Sequence, residues 1–260
     1  MSVQSMPVNA MSDAQLAAHL AQIAGRLLIN VRDAGVFEGK ALGGAGDATA
    51  NEFLCHALRS ARPDDGLLSE EEKDDAARLS KSRVWIVDPV DGTREYGEKR
   101  SDWAVHVGLS IDGVASVGAV ALPGQSDAAG NPGLVLHTDD AGPLAQAAET
   151  PRFLVSRSRP AKEAVAVCDA LNGELVPMGS AGAKAMAVVQ GQAEIYLHSG
   201  GQYEWDSCAP VAVAMAHGLH CSRIDGSPIQ YNRADPYLPD LLICRPEYAD
   251  EVLALVKRGA

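Results

Sequence analysis

The chain is poor in the features that mark secreted, membrane-spanning and nucleic-acid-binding proteins. Its five cysteines are scattered and form no C-x-x-C pair, so neither a disulfide framework nor a cysteine zinc site is indicated. Lys and Arg number 22 against 34 Asp and Glu, and the net charge of −12 argues against binding to a nucleic-acid backbone or an acidic membrane. No uncharged apolar run reaches about eighteen residues, and residues 1–10 lack the basic and apolar regions of a signal peptide. We therefore expect a cytoplasmic protein.

The chain does have enough apolar residues for a substantial core. Its 260 residues are 47% hydrophobic, which leaves room for one large domain or two modest ones. The stretch 123–150 is rich in Gly, Ala, Pro and Asp and interrupts the regular patterns on either side. We place a boundary there, so that the predicted domains are residues 1–150 and 151–260.

The first half reads as two helices followed by an antiparallel sheet. Ser12 and Gln15 form a capping-box pattern before an apolar stripe at helical spacing. The glycine-rich stretch 35–46 has no periodicity, and a second helix is predicted to start near Asp47. A strand at 84–87 is predicted to stop at Asp88, and an Asp-Gly pair at 112–113 between apolar runs predicts a hairpin over 103–122.

The second half alternates strands and helices, which is typical of an α/β arrangement. The predicted strands are 153–156, 174–178, 193–198, 219–224 and 241–244, and the predicted helices are 161–171, 181–190, 206–216 and 248–257. This half therefore differs in class from the first.

The residues most informative about chemistry are V-D-P-V-D-G-T-R-E-Y-G at 87–97. Pro89 fixes φ after the strand and Asp91 follows Asp88 by three positions, so two carboxylates and the Val90 carbonyl can converge. Such hard oxygen ligands suit magnesium. Gly92 lets the backbone approach an anion, and a helix opening at Thr93 would present free N–H groups to a phosphate.

Two other interpretations of this motif stay open on the residues alone. Asp88 and Asp91 are also ordinary residues for a turn and a helix start, since Asp-Gly pairs are common. The haloacid-dehalogenase motif D-x-D-G-T is a chemical rival, but the spacing here is longer and Pro89 follows the first aspartate.

Two other acidic segments have simple interpretations when each is taken separately. A solvated loop is indicated by Ser69-Glu70-Glu71-Glu72, and a helix cap by Asp206 in Glu204-Trp205-Asp206.

Taken together, these motifs closely resemble the inositol monophosphatase superfamily of magnesium-dependent, lithium-sensitive phosphatases. The family's D-P-[ILV]-D-G-T motif with a following aromatic is matched by residues 88–96, and its W-D motif by Trp205-Asp206 and the small residues after it. Pro210 replaces the usual glycine and is expected to affect the first turn of that helix but not the metal ligand. The upstream acidic motif is matched by Ser69-Glu70-Glu71.

The resemblance implies a layered αβαβα sugar-phosphatase fold, with an N-terminal antiparallel-sheet half and a C-terminal α/β half. It also implies two or three Mg²⁺ ions as cofactors. The implied metal ligands are Glu70, Asp88, the Val90 carbonyl, Asp91 and Asp206. Thr93 and Asp47 resemble the family's pair that orients and deprotonates a water, although Asp47 is also read as a simple helix cap.

Within the superfamily, three segments look like the CysQ-type 3'(2'),5'-bisphosphate nucleotidases of actinobacteria. They are Arg94-Glu95-Tyr96, G-S-A-G-A-K-A at 179–185 and D-P-Y-L-P-D at 235–240. The implied reaction removes the 3'-phosphate of adenosine 3',5'-bisphosphate, a by-product of sulfate assimilation. Inositol monophosphate or fructose 1,6-bisphosphate as substrate, and a non-catalytic metal-binding protein of the same fold, are the alternatives.

The partner is expected to be a small phosphate ester, with no nucleic acid and no membrane, and a homodimer is an open possibility. The expected substrate contacts are Gly92, Thr93, Arg94, Arg157, Ser180 and Lys184. Ser180 and Lys184 lie where a strand meets a helix and are expected to hold a phosphate, unless Lys184 is a plain surface lysine. Asp91→Asn is expected to abolish turnover and to raise the melting temperature of the metal-free protein by relieving carboxylate repulsion.

Overall fold

A computed structural model describes residues 7–126 and 129–259. The helices are α1 Asp13–Asp33, α2 Gly39–Ala61, α3 Thr93–Gly97, α4 Lys162–Ala170, α5 Ala181–Val189, α6 Glu204–Ala216 and α7 Pro246–Arg258. The strands are β1 Gly66–Ser69, β2 Arg83–Asp91, β3 Ala104–Ile111, β4 Val114–Ser126, β5 Pro132–His137, β6 Arg152–Ser156, β7 Glu174–Met178, β8 Ile195–Tyr203, β9 His220–Ser222 and β10 Tyr237–Cys244. The signal-peptide prediction concerned residues 1–10, of which 1–6 lie outside the described ranges.

The strands form two sheets. The first has the order β1-β2-β3-β4-β5, in which β1 is parallel to β2 and the other neighbours are antiparallel. The second has the order β7-β6-β8-β10-β9, with β6 parallel to both β7 and β8 and with β10 antiparallel to its neighbours. The predicted boundary near residue 150 lies between the two sheets, but whether the halves are separate domains stays a prediction.

Three apolar clusters join the layers of the molecule. One lies between the first sheet and the outer helices α1 and α2, and a second fills the space around α5 and α6 between the sheets. The third packs α4 and α7 on the outer face of the second sheet. Because each helix or sheet face buries its apolar side against the next layer, the result is the predicted αβαβα arrangement.

Two glycines of the first sheet let α6 lie directly on it. A Cβ at Gly108 would be 2.8 Å from the Ala209 nitrogen, and one at Gly118 would be 2.4 Å from the Ala209 oxygen. These distances are too short for any side chain, so only glycine permits this close approach. The contact brings the first turn of α6 next to the end of β2. The helix continues through Pro210, which removes the N–H that would bond to the Asp206 carbonyl.

The prediction that α2 starts near Asp47 is wrong, because α2 begins at Gly39. The glycines that suggested a loop instead serve close packing against α3. A Cβ at Gly43 would be 2.7 Å from Thr93 Cγ2, and one at Gly46 would be 2.5 Å from Tyr96 Cε1. Gly43 and Gly46 therefore mark a contact between two helices. A glycine-rich composition alone cannot distinguish such a contact from a flexible loop.

Two element ends also differ from the prediction. The strand predicted to stop at Asp88 continues to Asp91, with an irregularity in its pairing to β3 between these residues. Helix α6 starts at Glu204, so Asp206 is its third residue and not its cap. Its carboxylate accepts the Tyr203 backbone N–H at 2.6 Å, in the position of the acidic residue of a capping box.

Other local predictions are confirmed. Ser12 and Gln15 bond reciprocally at the start of α1, as the capping-box pattern indicates. Asp112 and Gly113 have φ values of 51° and 81°, and this left-handed conformation is the one that a two-residue hairpin turn requires. Among the described residues, no helix combines the length and the apolar character needed to cross a bilayer.

Candidate active site

Three carboxylates meet where β2 ends beside the first turn of α6. One oxygen each from Asp88, Asp91 and Asp206 lies within 4.8 Å of the others. Asp88 and Asp91 flank the irregularity in β2, which turns both side chains toward the same point. Three of the five predicted metal ligands, Asp88 and Asp91 from the first half of the chain and Asp206 from the second, are therefore brought together by the packing of α6.

Asp88 shows that this cluster suits a cation. Its side chain is buried and its Oδ1 has no hydrogen-bond partner. Burial, together with the nearby charges of Glu70 and Asp91, raises the pKa of Asp88 well above its usual value. An unpaired buried carboxylate is costly to keep, and a divalent cation with oxygen ligands would remove that cost. The donors present thus fit Mg²⁺.

Glu70 and Asp206 surround Asp88 with further negative charge. Glu70 follows β1 and is an exposed residue, but loss of hydration at its carboxylate and the charge of Asp206 raise its pKa to about 7. Burial and the charge of Asp91 raise the pKa of Asp206 to about 6. Without a cation, these acids oppose each other's ionisation.

Asp91 differs from the others because both of its oxygens accept hydrogen bonds from Ser180 and the first residues of α5. It accepts the backbone N–H groups of Ala181 at 3.1 Å and Gly182 at 2.6 Å, and it also accepts the Ser180 hydroxyl. Burial opposes its ionisation, but the charges of His106 and Lys184 and the Ser180 bond outweigh this, and the pKa of Asp91 lies below its usual value. The positive end of the helix dipole acts in the same direction.

This environment argues against the expected rise in melting temperature for Asp91→Asn, which stays a prediction. The expectation treated Asp91 as a strained, repelled carboxylate, yet Asp91 is the member of the cluster whose charge is neutralised by protein donors. The strained member is Asp88.

His106 is a neighbour of Asp91 that the sequence reasoning missed. This fully buried residue of β3 places Nε2 3.2 Å from Asp91 Oδ2, and its Nδ1 lies 2.9 Å from the Trp205 carbonyl. It thereby connects Asp91 to the residue that precedes Asp206. The available signal was a histidine within an otherwise apolar strand, W-A-V-H-V-G-L, where a buried polar side chain needs partners.

Thr93 and Asp47 are brought together as predicted. Thr93 Oγ1 lies 3.3 Å from Asp47 Oδ1 and 3.1 Å from the Val90 carbonyl. Gly92, with φ of 88°, makes the left-handed turn that starts α3 at Thr93. Burial and the charge of Glu71 raise the pKa of Asp47 to about 7. Since Asp47 lies inside α2, it is not a helix cap.

Ser180 and Lys184 are buried, so Lys184 is not a surface lysine. The Ser180 hydroxyl and the first backbone N–H groups of α5 donate hydrogen bonds to the Asp91 carboxylate. Lys184 Nζ donates to the carbonyls of Gly179, at 3.3 Å, and Ser180, and lies 5.2 Å above the Tyr196 ring. These contacts place the predicted phosphate-binding groups beside the carboxylates, but with protein partners of their own.

Arg94 and Arg157, the two arginines predicted to contact the substrate, form ion pairs with Glu95 of α3 and with Glu98, which follows α3. Arg94 Nε lies 2.9 Å from Glu98, and the Arg94 side chain is 70% exposed. Arg157 bonds to Glu95 at 2.6 Å and reaches Glu98 at 3.2 Å. Substrate contact by either residue stays a prediction.

Glu204 is buried, and both of its carboxylate oxygens already accept hydrogen bonds from the protein backbone. Its oxygens accept the backbone N–H groups of Asn232 at 2.7 Å and Arg233 at 2.8 Å. It therefore holds the 232–233 loop against the start of α6, and burial raises its pKa.

Comparison with known proteins shows the family of this chain. The model of the inositol monophosphatase family matches residues 14–258. This chain belongs to the inositol monophosphatase family. Among its relatives, a Mycobacterium leprae protein named 3'-phosphoadenosine 5'-phosphate phosphatase is 47% identical over 261 residues, covering 95% of this chain and 94% of the relative. The CysQ bisphosphate nucleotidase of Escherichia coli K12 is 28% identical, covering 75% and 81%.

Solved structures confirm the predicted fold of the family. The crystal structure of CysQ from Bacteroides thetaiotaomicron superimposes with a TM-score of 0.74 at 24% identity, covering 92% of this chain and 99% of that one. SuhB from Mycobacterium tuberculosis superimposes with a TM-score of 0.69 at 22% identity. The family model and the named relatives confirm the predicted resemblance to the family and to its CysQ-type members.

Proposed function

We propose that this chain is a magnesium-dependent phosphomonoesterase that removes the 3'-phosphate of adenosine 3',5'-bisphosphate, giving AMP and phosphate. The observation that carries the proposal is the 47% identity, over nearly the whole of both chains, to a protein named for dephosphorylating this class of nucleotide. The acidic cluster supports the same conclusion, because a phosphate dianion can approach such a site only when cations neutralise it.

We assign the metal ligands to Glu70, Asp88, the Val90 carbonyl, Asp91 and Asp206, and we propose two or three Mg²⁺ ions. Magnesium held there would neutralise the phosphoryl oxygens and stabilise the charge that develops on the leaving oxygen. The unpartnered Oδ1 of Asp88 and the raised pKa of Glu70 support this assignment, since both describe acids without enough positive charge nearby.

Thr93 and Asp47 have the geometry to handle the water that attacks phosphorus. The Thr93 hydroxyl can bond to such a water, and Asp47, 3.3 Å from that hydroxyl, can accept the proton that leaves. A general base is most effective when its pKa lies near the working pH, and that of Asp47 is raised to about 7. The pair therefore supplies orientation and proton acceptance together.

The surroundings of Asp91 keep the site rigid for this reaction. The amides of Ala181 and Gly182 fix both carboxylate oxygens, and His106 supports one of them from the opposite element. Lys184 adds a buried positive charge near Asp91. Positioned charges of this kind stabilise a transition state without needing to reorganise.

The remaining features are part of the same proposal. Contacts of Gly92, Arg94, Arg157, Ser180 and Lys184 with the substrate, and a homodimer, remain predictions. A cytoplasmic location is supported by the five unpaired cysteines, which suit a reducing compartment.

The test is phosphate release by the purified chain with Mg²⁺ from three substrates measured in parallel. These are adenosine 3',5'-bisphosphate, inositol 1-phosphate and fructose 1,6-bisphosphate, with Asp88→Asn as the inactive control. We expect the highest kcat/KM with the nucleotide, and loss of activity in the variant and in EDTA. Preference for inositol phosphate would overturn the nucleotide assignment, and no release from any ester would overturn the enzyme assignment.

A further inference from the structure

An aromatic corner, formed by Tyr203, Trp205 and Tyr237, stands beside the carboxylates. The rings of Tyr203 and Trp205 are stacked with centroids 4.8 Å apart and planes 8° apart. The Tyr237 ring meets Tyr203 at 5.9 Å and 79°. Since the whole chain has only three Phe, three Trp and six Tyr, the gathering of three aromatic rings at one point is notable.

Backbone contacts fix this corner next to the metal-ligand cluster. The Tyr203 N–H donates to the Asp206 carboxylate at 2.6 Å, so the ring-bearing residue directly supports a proposed ligand. Tyr203 is paired with Tyr237 across β8 and β10, and the N–H of Glu204 donates to the Pro236 carbonyl at 2.8 Å. The end of β8, the start of β10 and the first turn of α6 are therefore one unit.

The two tyrosine rings of the corner are largely exposed. Tyr203 and Tyr237 are each 45% exposed, whereas Trp205 is half-buried and packs on the apolar cluster between the sheets. A Cβ at Gly200 would meet nothing within 4 Å, while one at Gly201 would meet the Tyr237 hydroxyl at 2.5 Å. The backbone at Gly201 thus lies against the Tyr237 ring, and the space beside Gly200 is open.

We propose that the aromatic corner receives the nucleobase of the substrate. Exposed aromatic faces bind bases by stacking, and Trp205 behind Tyr203 holds the ring in place before the base arrives. The inference rests on the proposed function, because it places the base of a nucleotide whose phosphate lies at the carboxylates. Inositol and fructose phosphates have no ring system to stack, so the corner selects nucleotides over them.

The first test compares a nucleotide with its base-free counterpart. Tyr203→Leu, Tyr203→Phe and Tyr248→Leu are assayed with adenosine 3',5'-bisphosphate and with methyl ribofuranoside 3,5-bisphosphate. Tyr203→Leu should raise KM for the nucleotide about tenfold, which corresponds to about 1.4 kcal/mol, with little change in kcat and no change for the base-free ester. Tyr203→Phe keeps the ring and should behave like the parent protein.

Tyr248→Leu is the matched control for loss of a tyrosine ring. Tyr248 lies on the outer helix α7 and packs against the cluster beneath it, so its removal should lower stability without changing the ratio between the two substrates. If Tyr203→Leu raises KM equally for both substrates, or lowers kcat for both, then Tyr203 acts only on Asp206 or on folding and the proposal is wrong. Melting curves of each variant report any loss of folding.

A second test needs no turnover and so separates this inference from the proposed function. Binding of AMP should quench the fluorescence of Trp205, since the other tryptophans, Trp85 and Trp103, are 1% and 0% exposed. The dissociation constant of AMP obtained from the quench should rise about tenfold in Tyr203→Leu, and the quench should vanish in Trp205→Phe. Quenching without hydrolysis would refute the enzyme but keep the base site, whereas hydrolysis with no dependence of KM or quenching on Tyr203 would refute the base site.

Discussion

Asp91→Asn and Asp88→Asn should change the stability of the metal-free protein in opposite directions, although they alter two carboxylates of one cluster. Asp91 Oδ1 accepts the Ala181 N–H, and Oδ2 accepts the Gly182 N–H and the Ser180 hydroxyl. An asparagine has a single acceptor oxygen, so its amino group would face at least one of these donors. The variant loses charge-assisted bonds and leaves a buried N–H without a partner.

The expected size follows from these contacts. Removing one partner from a buried, hydrogen-bonded charge cluster costs about 3–5 kcal/mol. For a chain of this length, each kcal/mol lowers the melting temperature by about 2–4 °C, so Asp91→Asn should melt about 6–20 °C below the parent protein. In Asp88→Asn the repulsion from Glu70 and Asp91 is relieved, and a gain of about 1–2 kcal/mol, or about 2–8 °C, is expected.

The assay is thermal unfolding followed by circular dichroism at pH 7.5, first in EDTA and then with excess Mg²⁺. The parent protein should gain stability on adding Mg²⁺, and both variants should gain much less because each has lost a ligand charge. Both variants should be inactive. A higher melting temperature for Asp91→Asn in EDTA, or a lower one for Asp88→Asn, would refute the distinction between a neutralised and a strained carboxylate.

Three further predictions address the pH dependence, the proton acceptor and the packing of the site. The pKa values of Asp47 and Glu70 are raised to about 7, so the folded metal-free protein binds more protons than the unfolded chain between about pH 4 and 7. Its melting temperature should therefore fall as pH rises through that window. The affinity for Mg²⁺ should increase over the same range, because the carboxylates lose their protons. A melting temperature that rises from pH 5 to 8 in EDTA would contradict this. Thr93→Ala and Asp47→Asn should each lower kcat by about 10²–10⁴-fold, and the double variant should be little worse than either, in steady-state assays; additive losses would show that the two act separately. Gly182→Ala should lower both melting temperature and activity, because its Cβ would lie 1.9 Å from Nε2 of the buried His106. Gly44→Ala is the control: its Cβ meets nothing within 4 Å and it lies inside α2, so it should slightly raise the melting temperature. Equal behaviour of the two variants would refute the packing argument.

Much of the architecture could be predicted from periodicity and turn chemistry. The reciprocal capping of α1 and the positive φ values at Asp112 and Gly113 depend on residues next to each other in sequence, so local patterns are sufficient. The start of α2 at Gly39 could not be predicted this way, since the reason for its glycines is Thr93 and Tyr96 on another helix. Tertiary packing, and not local propensity, decides such positions.

The candidate site shows the same division. Spacing and resemblance singled out Asp88, Asp91 and Asp206, because the oxygen donors are themselves the chemical signal. The engagement of Asp91 by α5 could not be seen, since it joins residues about 90 positions apart and uses backbone N–H groups common to every helix start. His106 was missed for a related reason, because its role depends on contacts to Asp91 and to the Trp205 carbonyl that no spacing encodes.

The most direct test of the central claim is the identity of the product formed from adenosine 3',5'-bisphosphate with Mg²⁺. Chromatography of the nucleotide, with inorganic phosphate measured in the same sample, distinguishes cleavage of the 3'-ester from cleavage of the 5'-ester. Equal amounts of AMP and phosphate, formed with Mg²⁺ and abolished in EDTA and in Asp88→Asn, are the predicted result. Formation of adenosine 3'-phosphate, or equal rates with and without Mg²⁺, would contradict the account.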